Sequence, residues 1–157
     1  MRFSELLAYN EDETGRWRRF FHEHPAALDV PTDIANTGSV RQLVLHVFVT
    51  ELYFANLVAG APNTGLDKLP CSTVEELFAV HAEAHRKFED FLEKAAPAQW
   101  EDVVALGFRD LKASRRKMFT QAMLHSVNHR AQLASLLRQQ GFQQDWVHDI
   151  ILSSAMQ

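Results

Sequence analysis

The sequence predicts an all-α protein: a four-helix bundle with a short fifth helix near its C-terminal end. Two observations lead to this. Apolar residues recur at steps of three and four through four long segments, and Gly and Pro collect between those segments rather than inside them. No long alternating strand pattern competes with the helical period. With 157 residues the chain suits one domain, residues 1–157, with a proper core.

The first helix runs from Phe3 to about Phe21, with Leu6, Leu7, Trp17, Phe20 and Phe21 as its apolar residues. The second runs from about Ser39 to Ala59, where Val40, Leu43, Val44, Val47, Phe54, Leu57 and Val58 form the stripe. The third starts at Ser72-Thr73-Val74-Glu75, which fits a capping box in which Ser72 takes a free amide and Glu75 reaches back. Its seam is Val74, Phe78, His81, His85, Phe88 and Leu92, spaced 4-3-4-3-4. Trp100 to Leu111 lacks a helical stripe and reads as an extended connection with a short strand pair. The fourth helix runs from about Ser114 to Gln140 and stops at Gly141, a residue suited to positive φ. A fifth, from about Asp145 to Ser154, is expected with Asp145 as its cap. The long loops after the first two helices leave room for a crossover, and hence for an up-down-down-up arrangement.

Composition narrows the function. A hydrophobic share of 46% with 23% charged residues excludes a disordered chain. A net charge of −4 argues against a nucleic-acid binder held by phosphate contacts. A single cysteine, Cys71, excludes an intrachain disulfide and a multi-cysteine zinc site. Cys71 lies just before the third helix, where a thiol can acquire a lowered pKa, but an ordinary structural cysteine is the expectation. No apolar run approaches the ~20 residues that span a bilayer, and the first residues do not read as a signal peptide. The expected setting is the cytoplasm, with no membrane partner.

Eight histidines stand out. His125 and His129 are four apart on the fourth helix, so their rings lie one above the other and can converge on one ion. The alternative is two half-buried or surface histidines. The pair falls along the stripe through Met118, Ala122, Leu133 and Leu136, which favours the inward direction. His46, in the middle of the second helix, can supply a third ligand from a facing helix. Three neutral nitrogens leave coordination positions open for water or substrate. His81 and His85 form a rival pair on the third helix, read as core or pocket-lining groups. His22, His24 and His148 lie near helix ends and loops, where solvated or end-capping roles are expected.

The stretch Met123–Gly141, with His125-Ser-Val-Asn-His129-Arg-Ala-Gln132 at its centre, resembles the DinB/YfiT-like family, whose last long helix carries H-x-x-x-H-R-G-Q. Leu45-His46 through Glu51 to Phe54 resembles that family's second-helix histidine motif, and Leu6-Leu-Ala-Tyr-Asn10 its opening helix. The resemblance implies an up-down-down-up bundle with a divalent metal, zinc or nickel, on His46, His125 and His129, and dimers packed helix against helix. Relatives include thiol-cofactor-dependent transferases and isomerases and some metal-dependent hydrolases. Two departures stand out. Ala131 replaces a usual Gly, and Glu11-Asp12-Glu13 replaces a W-A-N run, which bears on the pocket mouth or the dimer contact.

The expected function is a metal-dependent transferase using a low-molecular-weight thiol, acting on a small-molecule substrate as a homodimer. The alternatives are a metal-dependent hydrolase and a non-catalytic metal-binding stress-response dimer. Candidate pocket groups are Asn128, Arg130, Gln132, His81, His85 and Glu51. Arg130 directly follows His129, about 100° further around the helix, and is expected at a surface or interface. Gln132 is expected to face the site as a donor to a ligand histidine.

Overall fold

Side chains that satisfy free end groups set the helix boundaries. In this computed structural model, which describes residues 2–153, α1 spans Phe3–Glu23, α2 Val40–Ala59, α3 Val74–Lys94 and α4 Arg115–Gln139. The Ser39 hydroxyl accepts from the Gln42 amide at 3.3 Å, and that of Ser114 from the Lys117 amide at 3.2 Å. The capping box of α3 sits one residue later than the sequence suggests. Thr73 accepts from the Glu76 amide and Glu76 from the Thr73 amide, both at 3.1 Å. Glu76 also accepts from the Ser72 amide at 2.7 Å, so one carboxylate serves two free donors. Glu75 instead faces His22, 3.3 Å away. At the other ends, Gly60 (φ 72°) stops α2 and Gly141 (φ 85°) follows α4. Past Gly141, the Phe142 amide returns to the Leu137 carbonyl at 2.8 Å.

The helices form an all-α bundle in which α2 packs on α3 and α4, and α1 closes the bundle against the same two. Phe21, Leu43, Leu77, Phe88, Met118 and Phe119 are fully buried between them. Arg41, near the start of α2, donates to the carbonyls of Cys71 and Ser72 just ahead of α3. Arg115, at the start of α4, donates to the Val58 carbonyl near the end of α2. By length and composition α2 is apolar enough to cross a membrane, which a search for uninterrupted apolar runs does not reveal. In the bundle its apolar residues are largely core, and the helix also carries His46 and the buried Glu51.

The connection between α3 and α4 has the expected character. A 3-10 turn at Pro97–Glu101 leads into β1 (Val103–Ala105), which pairs antiparallel with β2 (Lys112–Ser114), Val103 opposite Ser114. The strand pair extends beyond Leu111 into the start of α4.

The predicted fifth helix does not form. The described chain after α4 runs as a tail with one 3-10 turn, Ile150–Leu152, and Ser154 lies outside the described residues. A segment this short gains little as an isolated helix, and its groups are used against α1 instead. Trp146 packs edge-on to Trp17, with centroids 5.2 Å apart. The Tyr9 hydroxyl donates to the His148 carbonyl at 2.7 Å, and the Ser153 hydroxyl to Asp12 at 2.9 Å.

Two changes test this account in urea melts. Phe119→Ala removes a ring in contact with those of Phe3, Phe88 and Trp100 and should cost about 3–5 kcal/mol. Thr73→Ala should cost about 1 kcal/mol and Ser72→Ala much less. Equal losses at 72 and 73 would contradict the assigned cap.

Candidate metal centre

α2 and α4 bring His46, His125 and His129 together, all three half-buried, with one ring nitrogen of each within 4.8 Å of the others. His46 Nε2 lies 3.2 Å from His125 Nε2. Ligands ~2.0–2.1 Å from a tetrahedral ion stand about 3.3 Å apart, so this edge already has ion-binding dimensions. The ring centroids are 5.0 Å apart for His46–His125, 5.2 Å for His46–His129 and 4.4 Å for His125–His129. His129 donates from Nδ1 to the Gln132 Oε1 at 2.7 Å, leaving the lone pair on Nε2. Gln132 therefore faces the cluster as its spacing suggests, but it accepts the His129 proton instead of donating.

Electrostatics favour the neutral form of His46 and His125. Burial, and then the neighbouring His129, lowers the pKa of His46. Burial, followed by His129 and His46, pushes His125 down to about 4. A neutral imidazole is the form that binds a cation. The donor set and its spacing fit a divalent ion.

A second group lies beside this one and has the opposite character. Glu51 is fully buried on α2 and accepts from one residue of each other helix. These are Asn10 of α1 at 3.0 Å, His81 of α3 at 2.6 Å and Ser126 of α4 at 2.5 Å. Arg130 approaches to 3.7 Å. Burial alone would raise the Glu51 pKa. The His81 charge and hydrogen bond, Arg130 and Ser126 outweigh it and hold the carboxyl down to about 2. Burial also opposes a charged His81, but Glu51 and Glu11 raise it to about 9. Both ring nitrogens of His81 donate, to Glu51 and to Glu11 at 2.8 Å. Glu11, His81 and His85 are close enough to suggest a second ion site, but a His81 ring protonated on both nitrogens has no lone pair to offer.

Several expectations need correction. Arg130 is buried, not at a surface. Its guanidinium crosses the core to donate to the Thr14 hydroxyl at 2.6 Å and to approach Glu51. The helix turns its Cα away from His129, but the long side chain reaches an acid that needs a cation. His148 is not a solvated end group. It donates to the buried Glu13 at 2.7 Å and stacks on Trp17, centroids 5.6 Å apart. His22 pairs with Glu75, and His24 lies against the Phe20 ring. Asn128 is exposed, and Cys71 is half-buried with its carbonyl held by Arg41. Apolar periodicity alone does not bring out Asn10, Glu11, Glu13, Thr14 and Ser126. The spacing Leu7, Asn10, Thr14, Trp17, Phe21 is 3-4-3-4, the same seam pattern seen in α3, and it marks Asn10 and Thr14 as buried.

The Glu51–His81 pair makes stability depend on pH. The raised His81 pKa contributes fully below about 6.5 and loses that contribution as pH rises through about 9. The lowered Glu51 pKa contributes fully above about 4.5 and loses it as pH falls towards about 2. In chelator-treated protein, the melting-temperature gap between wild type and His81→Gln should therefore narrow from pH 6.5 to beyond pH 9. A gap that stays constant over that range would refute a charged His81.

The DinB family profile matches residues 1–152, which takes in all four helices and every residue of both histidine groups. Comparisons with curated proteins and with solved structures gave no match. The match spans nearly the whole chain, and the chain belongs to the DinB family.

Proposed function

We propose that this protein is a divalent-metal-dependent enzyme in which His46, His125 and His129 hold zinc or nickel. Its proposed reaction is the transfer of a low-molecular-weight thiol to an electrophilic small molecule. One observation supports this above all. Three imidazoles from two helices present ring nitrogens within 4.8 Å of one another, one pair at 3.2 Å, while only half-buried, so a bound ion would keep open positions.

When bound, such an ion supplies Lewis acidity that lowers the pKa of a thiol or water in contact with it. Nitrogen donors combined with a thiolate suit zinc or nickel. The chain's own residues prepare the site. Gln132 fixes the tautomer and orientation of His129. Desolvation keeps His125 unprotonated at neutral pH. Glu51, one hydrogen bond away from Ser126 beside His125, places a fixed negative charge behind the cluster. The charge on His81 is already matched by Glu51 and Glu11, so it does not oppose a cation at His46.

Elemental analysis of tag-free protein made without chelator should find close to one zinc or nickel per chain. His46→Ala and His125→Ala should lose it. Gln132→Leu should weaken metal affinity about 10–100-fold. Wild type should then turn over a thiol and an electrophile only when loaded. A wild type that stays empty after reconstitution with zinc and with nickel would refute this proposal.

A further inference from the structure

A cavity of about 270 Å³ lies between the β1–β2 hairpin, α2 and α4. Phe54, Leu106, Phe108, Leu111 and Met118 form its apolar wall, and Lys112, Lys117 and Gln121 its polar part. Its helical walls come from α2 and α4, the two helices that carry the three histidines. Gln121 precedes His125 by one helical turn and Met118 by two, so the cavity starts roughly 6–10 Å from that ring along the axis, at ~1.5 Å per residue.

The wall is built rather than incidental. The Tyr53 hydroxyl donates to the Leu106 carbonyl, which ties the hairpin to α2. The Leu106 amide donates to the Leu111 carbonyl at 2.9 Å across the turn. Phe108 and Leu111 remain 46% and 48% exposed beside the opening. On α4, Gln121, Leu124, His125 and Asn128 follow one another at spacings that share one face. Leu124 is 57% exposed there, on the same side of α4 as His125. Among the described residues, neither the Lys112 nor the Lys117 ammonium has a carboxylate within ion-pair distance.

We infer that this cavity is a substrate subsite for a small organic anion: an aryl or alkyl group lies against Phe54, Leu106, Phe108 and Leu111, and its carboxylate or sulfonate is paired by Lys112 and Lys117. This deepens the function proposed above and rests on it only for what reacts at the other end of the molecule. The apolar wall supplies burial, and the lysines select charge and orientation.

The test is calorimetric titration with 4-phenylbutyrate and its uncharged amide. The carboxylate should bind wild type at least tenfold more tightly than the amide. Lys112→Glu/Lys117→Glu should weaken carboxylate binding at least tenfold. Arg18→Glu/Lys68→Glu, the same charge change at exposed positions elsewhere, should leave it within twofold. Phe108→Ser/Leu111→Ser should weaken both probes. His46→Ala should keep carboxylate binding, which separates the subsite from the metal proposal. A wild type that holds no metal yet discriminates between the probes would leave the subsite standing alone. Equal affinity for the two probes, no binding at millimolar probe, or equal loss in the control variant would overturn it. Loss of binding in His46→Ala would put the carboxylate on the ion and overturn the subsite as well. So would a Phe108→Ser/Leu111→Ser variant that turned a dimer into a monomer with probe binding unchanged, since that face would then be a contact between copies.

Discussion

The buried Glu51 carboxylate is the constraint on which the rest of the bundle depends. A lone carboxylate in a core would be expensive and would take up a proton. Here it stays ionised because every other helix sends it a donor: Asn10, His81 and Ser126, with Arg130 nearby. Each of these contacts holds only if its helix is at the right height and rotation. Apolar packing tolerates sliding by a fraction of a turn, whereas a charge with directional partners does not. The same contacts place Ser126, and with it the neighbouring His125, opposite α2.

Two histidine groups in one bundle thus acquire opposite character from their surroundings. His46 and Glu51 sit on one helix, five residues and about 140° apart. Glu51 looks into the centre of the bundle and charges His81. His46 looks into the α2–α4 groove, where it meets two more imidazoles, and desolvation lowers the pKa of His46 and His125. One element therefore separates a structural ion pair from a cluster suited to an ion. Arg130 and the Glu11–His81 contact complete the charged side.

Much of this is legible in the amino-acid order. The 3-4 spacing locates all four helices, and the His125/His129 step with a mid-helix His46 identifies the cluster, because helical geometry is local. The strand pair near Val103 is legible for the same reason, as a stretch without a helical period. The burial of Arg130 cannot be read this way, because a long side chain can reverse the direction set by its Cα. The tail after Gly141 has helix-like composition, but its shape is decided by Glu13, Asp12 and Trp17, more than a hundred residues away. The polar seam of α1 escapes a count of apolar residues, because Asn10 and Thr14 hold seam positions without being apolar. The shift of the capping box from Ser72 to Thr73 reflects a carboxylate at Glu76 that can reach both amides.

The seat of the tail on α1 bears on how the chain is made. Glu13 is almost completely buried, but its partners Trp146 and His148 lie 133 and 135 residues downstream. At a ribosomal pace of 5–20 residues per second they emerge roughly 7–27 s after it. For that interval the first helix carries an uncovered carboxylate and an uncovered Trp17 ring, and no nascent fragment can finish its own surface. Such a molecule cannot settle helix by helix as it leaves the exit tunnel. Its first helix waits for Trp146 and His148 to cover Glu13 and Trp17.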